Sequence, residues 1–317
     1  MASIGYFLSS EEHDGRALVE FAQMSEAAGF RDVLISDHFH PWSEAQGHSP
    51  FVWPVTGGIA ATTDLRITTG VTCPTRRVHP AIVAQAAATM GELSRGRFRL
   101  GVGSGEALNE HIFGEHWPMA GERLEMLEEA VEVIRALWTG RKVQHRGRHY
   151  TVENARLYTL PGEPVEIIVS AFGQKATALA ARIGDGLVTA EPDRDLVGEY
   201  KGHGGTGPLV GYFKVCWGRD QAEAEKLAHH LWANEKLPGE LNQVLSTPAH
   251  IEQAASLVSV DMIADAFPCG PDPERYVQKA TAYFDAGFDE LYFSQIGSDQ
   301  EGFLRFWQDE LRPRLAV

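Results

Sequence analysis

The sequence predicts a (β/α)8 barrel, and three observations carry the prediction. Eight short apolar runs recur along 317 residues, each nearly continuous in hydrophobicity, as strands buried on both faces are. Longer amphipathic stretches separate them, as crossover helices separate parallel strands. The competing open doubly wound sheet carries its nucleotide fingerprint, GxGxxG, directly after the first strand, and SIGYFLSSEEHDG lacks it.

The elements follow in order. SIGYFL opens the chain as a strand, and RALVEFAQMSEAAGF has helical spacing and closes on Gly29. DVLIS and LRITTGVT are the next two strands. HPAIVAQAAATMGELS is a helix whose Pro80 suits the first turn. RFRLGVG is the fourth strand. GERLEMLEEAVEVIRALWTG is a helix with Leu124, Leu127, Val131, Ile134 and Leu137 on its apolar side, acids early and Arg late, ending at Gly140. VEIIVSA, GLVTA, LVGYFKVCW and ELYFSQI complete the strands. DQAEAEKLAHHLWANEK, PERYVQKATAYFDAGF and EGFLRFWQDELRPRL are further helices. Two segments interrupt the alternation. Residues 141–161 read as a short β excursion after the fourth helix, and residues 235–272 as an insertion between strands seven and eight holding two helical patterns, PAHIEQAASLV and DMIADAF. Both decorate a single barrel domain spanning residues 1–317.

Composition narrows the function. The formal charge is −15 with no concentrated run of Lys and Arg, which argues against a nucleic-acid partner. Cys73, Cys216 and Cys269 are odd in number and far apart in sequence, with no CxxC pair, as suits a reducing cytoplasm. MASIGYFLSS has neither a basic n-region nor an apolar h-region, and no apolar run reaches the roughly 18 residues of a membrane span. A cytoplasmic protein acting on a small molecule is expected.

A (β/α)8 barrel builds its active site where its strands end. The second strand runs into Asp37, His38, His40 and Trp42, and the fourth into Ser104, Gly105, Glu106 and Asn109. The third ends in GVTCPT, the fifth in SAFGQKA, and the sixth in Ala190 and Glu191. Cys216 and Trp217 follow the seventh, and Ser294 and Gln295 end the eighth. The set holds a base, an acid, aromatic walls and a Gly-containing loop opening a helix, where amide N–H groups suit a phosphate. Each has a structural counterpart: a core histidine for His38, a barrel plug for Trp42, an N-cap carboxylate for Glu106, ordinary capping at Gly173. No GxSxG, catalytic-cysteine signature or HExxH is present. Asp37 and His38 are adjacent on extended chain and point to opposite sides, so no metal centre is expected.

SDHFHPW, HPAIVAQAAATM, GVGSGEALNE, ARLYTLP, GDGLVT and CGPDPERYV together resemble the luciferase-like flavin and deazaflavin oxidoreductases. Within them the chain is similar, from about residue 3 to residue 315, to the group of the F420-dependent glucose-6-phosphate dehydrogenase. The resemblance implies a luciferase-type barrel, a homodimer, and coenzyme F420, an 8-hydroxy-5-deazaflavin that moves hydride; FMN on the same barrel is the alternative. It assigns cofactor contacts to Asp37, to Gly70, Val71 and Thr72 at a bulge with a non-prolyl cis peptide, and to Ser104, Glu106 and Asn109. Phe172, Gly173, Gln174 and Lys175 fall where relatives hold the phosphodiester. It assigns the chemistry to His38 as base, to Glu106 near the pyrimidine end of the ring, and to Trp42 as substrate wall with its N–H near the developing charge. The positions that hold the sugar phosphate in that group fall near Asp193, at Asp265 and near Asp289, where acids repel a dianion, with Arg194 and Lys201 in the neighbourhood of the first. The expected substrate is therefore a small alcohol, carbonyl or sugar-like molecule rather than glucose 6-phosphate.

Overall fold

Every predicted apolar run becomes a parallel strand. The computed structural model describes residues 2–315. In chain order the strands are β1 (Ser3–Leu8), β2 (Asp32–Ile35), β3 (Arg66–Thr69), β4 (Phe98–Val102), β5 (Val143–Arg146), β6 (Thr151–Ala155), β7 (Glu166–Ser170), β8 (Gly186–Thr189), β9 (Leu209–Val215) and β10 (Glu290–Gln295). All but β5 and β6 close into a barrel in the order β1-β10-β9-β8-β7-β4-β3-β2, so the expected (β/α)8 architecture is the one the chain adopts. β5 and β6 pair antiparallel as the excursion after the helix Ala120–Trp138. The second insertion, residues 233–270, carries Ala233–Lys236, Leu241–Val244, Pro248–Ala255 and Val260–Ala266 as short helices that cover the C-terminal mouth of the barrel.

The barrel interior is layered by side-chain parity. Successive residues of a strand alternate between the outer helices and the interior. Phe7, Leu34, Ile168, Val188, Val210 and Tyr292 form one buried interior cluster. Toward the strand starts, the same faces carry Asp32, Arg66 and Glu290. Arg99 of β4 joins them, donating to both Glu290 oxygens at 2.9 and 2.7 Å and to the Thr68 hydroxyl. Two residues toward the strand ends the layer is mostly small, with Ser9, Ser36, Gly70, Ser170, Ala190 and Ser294, and Tyr212 of β9 is its large exception. Large side chains plug the middle and small ones leave a hollow above them.

The helices Val52–Thr62 and Arg194–Gly202 were not read from the sequence. Val52–Thr62, VWPVTGGIAAT, contains Pro54 and paired glycines and lacks a polar face. Pro54 falls in the first turn, where no backbone N–H bond is needed. At Gly58 a Cβ would come within 2.9 Å of Val19, so the helix Gly15–Ala27 packs directly on its backbone. Among the described residues no helix is long and apolar enough to cross a membrane.

Candidate active site

The hollow opens into a cleft with two continuous lobes of about 550 and 330 Å³, both bordered by Val71, Glu106, Ser170, Phe172, Gly239 and Gln243. Every residue to which the resemblance assigned the cofactor or the chemistry, except Thr72, borders one lobe or the other. Asp37, Ser104, Asn109, Gly173, Gln174 and Lys175 line the larger lobe, His38, Trp42 and Gly70 the smaller.

Glu106 stands at the N-cap of the short helix Ala107–Glu110, but its side chain makes no capping bond. The carboxyl is left for the cleft. Asn109, one turn on, joins it to His38. The Asn109 carbonyl oxygen accepts the backbone N–H groups of Phe39 and His40 at 2.8 and 3.2 Å. That fixes which end of the amide is the donor, and its NH2 group lies 3.1 Å from His38 Nδ1 and 3.4 Å from Glu106 Oε2. The resemblance places Asn109 on the cofactor; in the structure it also bridges His38 and Glu106.

His38 is buried, tilted against the Trp42 ring at 5.0 Å. Nδ1 has two neighbours of opposite polarity, the Asn109 amide donor and the His40 carbonyl oxygen at 3.3 Å. The ring can therefore hold its proton on either nitrogen. Nε2 lies 3.5 Å from Glu11 Oε1. Glu11 accepts from the hydroxyls of Ser9 and Ser36 at 2.9 and 2.7 Å. Burial pushes its carboxyl up, yet His38, Ser36 and Lys214 together outweigh burial and leave it below the ordinary range, a carboxylate at neutral pH. His40 turns elsewhere, with Nδ1 on the Leu108 carbonyl and its ring stacked on His111.

Asp37 is buried and its two oxygens are taken, one by the Thr72 hydroxyl and one by Arg77, both at 2.8 Å. Thr72 thus acts behind the cleft wall and not on it. Arg77 also donates its backbone N–H to Glu110, whose carboxyl burial lifts to about 7. Gly70–Val71 is a cis peptide, at the position the resemblance implies. Burial raises the Cys73 thiol well above its usual range, so Cys73 is wall and not nucleophile.

At the far end of the smaller lobe stand Glu191, Glu235, Lys214 and Trp232. Lys214 Nζ lies 2.8 Å from Glu235 Oε1 and 3.8 Å from the centre of the Trp232 ring. Glu11, Lys214, Trp232 and Glu235 were missed in the sequence. A signal existed for two of them: SSEEH follows the first strand, whose end was not inspected like the others, and Lys214 is a lone cation inside an apolar strand. The three phosphate-related positions require correction. Asp193 caps the helix Arg194–Gly202, Asp265 is exposed on its helix, and Asp289 accepts from the Leu209 N–H at the opposite, N-terminal end of the barrel. None of them borders either lobe, and neither does Arg194 or Lys201.

A strand-end cleft bearing a histidine and a carboxyl on a closed parallel barrel is where an enzyme of this architecture places its site, and sequence comparison supplies the family. The luciferase-like monooxygenase family profile matches residues 2–290, and the chain belongs to that family. The F420-dependent glucose-6-phosphate dehydrogenase of Microbacterium testaceum is 36% identical over 98% of this chain and 96% of its own length. The protein of the same name from Segniliparus rotundus is 37% identical over 98% of this chain and 97% of its own. Among solved structures, an F420-dependent secondary alcohol dehydrogenase in complex with an F420-acetone adduct superposes with a TM-score of 0.91 at 29% identity, each chain covered to 99%. Within its family the chain therefore falls in the group of F420-dependent oxidoreductases.

The larger lobe fits such a coenzyme. The helix Gln174–Ile183 starts on it with Gly173 at the N-cap and no side chain on the first amides, an anion seat with Lys175 alongside. A Cβ on Gly173 would meet nothing within 4 Å, and Phe172 is 57% exposed on the rim shared by both lobes.

Proposed function

We propose that the chain transfers hydride between coenzyme F420 and the carbinol or carbonyl carbon of a small uncharged substrate held in the smaller lobe. The observation that carries this reading is that His38 and Glu106, joined through Asn109, face one continuous cleft. Bound in the larger lobe, the deazaflavin supplies a carbon that accepts or returns hydride. Asp37, Gly70, Val71, Ser104, Asn109 and Phe172 would hold its ring, with Thr72 bracing Asp37, and Gly173, Gln174 and Lys175 would hold its phosphodiester.

The chain's own work is binding, orientation and proton transfer. To take the substrate hydroxyl's proton at Nε2, His38 carries its own proton on Nδ1, donated to the His40 carbonyl, and in that tautomer gives up the contact that Nδ1 otherwise accepts from the Asn109 amide. The imidazolium that results lies beside the Glu11 carboxylate, which stabilises it. In the reducing direction the same Nε2–H donates to the new alkoxide. Trp42 walls the lobe and keeps water from the reacting carbon. Glu106, borne at the junction of the lobes, would hold or release a proton at its carboxyl oxygen beside the bound coenzyme.

Charge supports an uncharged substrate over a phosphate ester. Glu11, Glu106, Glu191 and Glu235 border the smaller lobe, and Lys214, the cation there, is already paired with Glu235. Lys236 and Lys279 border a recess of about 30 Å³ that shares Glu191, Lys214 and Glu235 with the lobe, and Lys236 lies 3.8 Å from Glu191. A dianion would face the carboxylates before any free cation. The test is a screen with F420 followed optically: turnover of secondary alcohols or ketones with little on glucose 6-phosphate is expected, and the reverse order would overturn the substrate assignment. A homodimer belongs to the same reading, and light scattering at a mass other than twice 34.9 kDa would remove it.

A further inference from the structure

Glu12 follows the His38 partner Glu11 directly, but its contacts lie elsewhere. Its Oε1 accepts the indole N–H of Trp232 at 2.7 Å, and its Oε2 accepts the backbone N–H of Gly297 at 2.7 Å. Glu12 is buried and borders neither lobe. Trp232 closes the helix Gln221–Trp232 at the start of the covering insertion, and its ring face carries Lys214. Trp232, Lys214 and Glu235 all border the smaller lobe.

We propose that Glu12 is a positioning residue that seats Trp232, and through the indole face Lys214, as the far wall of the smaller lobe. This rests on that lobe being the substrate site. The carboxylate is the side chain that suits the place: two N–H donors converge on it from the end of β10 and from the covering insertion. Glutamine would offer one acceptor and set its own NH2 against the second donor. Burial outweighs those two bonds and pushes the Glu12 carboxyl up to about 7. The charged and titratable groups around it are Glu11, Lys214, Tyr6 and Cys216. The ionised form accepts both N–H groups and the protonated form does not, so the wall is fully seated only above neutral pH. Substrate binding should weaken as the pH falls, and the weakening should disappear when Glu12 cannot titrate.

The experiment pairs fluorescence with kinetics on wild type, E12Q and W232F. The Trp232 emission, taken as wild type minus W232F, should change with a midpoint of about 7. The same titration of E12Q should be flat. With F420 and 2-propanol, E12Q and W232F should raise KM by roughly five-fold or more with kcat within about two-fold, the signature of lost binding geometry rather than lost chemistry. A transition that survives in E12Q, no transition in wild type, or a fall in kcat at unchanged KM would overturn the proposal. If circular dichroism finds E12Q unfolded, the wild-type difference spectrum decides alone. If 2-propanol is not turned over by any form, the substrate reading has failed, and the fluorescence still judges the seating of Trp232.

Discussion

The two ends of the barrel both bury carboxylates, and they give them different partners. At the strand starts, Asp32 and Glu290 meet Arg66 and Arg99, and Glu290 receives both forks of the Arg99 guanidinium. Burial raises the Glu290 carboxyl, but Arg99 and Arg66 overcome it and hold it below the usual range. At the strand ends, Glu11 has a histidine at 3.5 Å, Glu12 has only N–H donors, and Glu110 shares Arg77 with Asp37. Two guanidinium groups outweigh burial at Glu290, whereas burial outweighs the partners of Glu12 and Glu110. An incompletely matched acid can change its protonation state at a modest cost, and a bidentate one cannot.

The comparison is broken most directly by His38→Ala. Loss of the strand-end base should lower kcat by a factor of about 10² or more with the fold intact, read by steady-state kinetics and circular dichroism. Turnover near the wild-type level would remove His38 from the proton path. Arg99→Met makes the contrasting cut. It leaves Glu290 with a lone arginine in the interior and should destabilise the chain by about 3 kcal/mol or more in denaturant unfolding. The KM of the folded fraction should stay unchanged, because nothing at the strand starts touches the cleft.

The pH dependence of stability sharpens the contrast. Glu12 and Glu110 both have folded-state values of about 7, above the ordinary 4.5, because of burial. The folded chain therefore holds those protons more tightly than the unfolded chain does. The stability they add is complete below pH 4.5 and is lost as pH rises through 7, by up to about 3 kcal/mol for each group. Chemical denaturation across that window should show the decline, and E110Q should remove part of it. A profile set instead by strand-start groups would not respond to that substitution. The smallest effect is expected at Glu191, exposed at the far end of the smaller lobe: Glu191→Gln should relax the rejection of glucose 6-phosphate by only a few-fold, read as kcat/KM, since exposed charges are screened.

The sequence made one of these ends far more legible than the other. Strand-end motifs stand out because polar residues break an apolar run, and Asp37, His38, Trp42, Glu106 and Asn109 were visible for that reason. Their division of labour was not. That Asn109 bridges His38 and Glu106, and that Thr72 serves Asp37 from behind, depends on which way side chains turn after the strands end, where no periodicity constrains them. Glu11, Lys214 and Trp232 come from three separate parts of the chain, and only barrel closure brings them to one lobe. The strand-start network was likewise invisible, because Asp32, Arg66, Arg99 and Glu290 lie far apart in the chain and only barrel closure brings them together. The phosphate positions failed for a related reason: Asp289 aligns in sequence but sits at the wrong end of β10.

The most direct test of the account is the visible absorbance of oxidised F420 mixed with purified protein and 2-propanol, beside the same mixture with glucose 6-phosphate. Bleaching with the alcohol, little with the sugar phosphate, and none with His38→Ala is the predicted result. Bleaching by glucose 6-phosphate alone, or an His38→Ala protein that bleaches as fast as wild type, would contradict it.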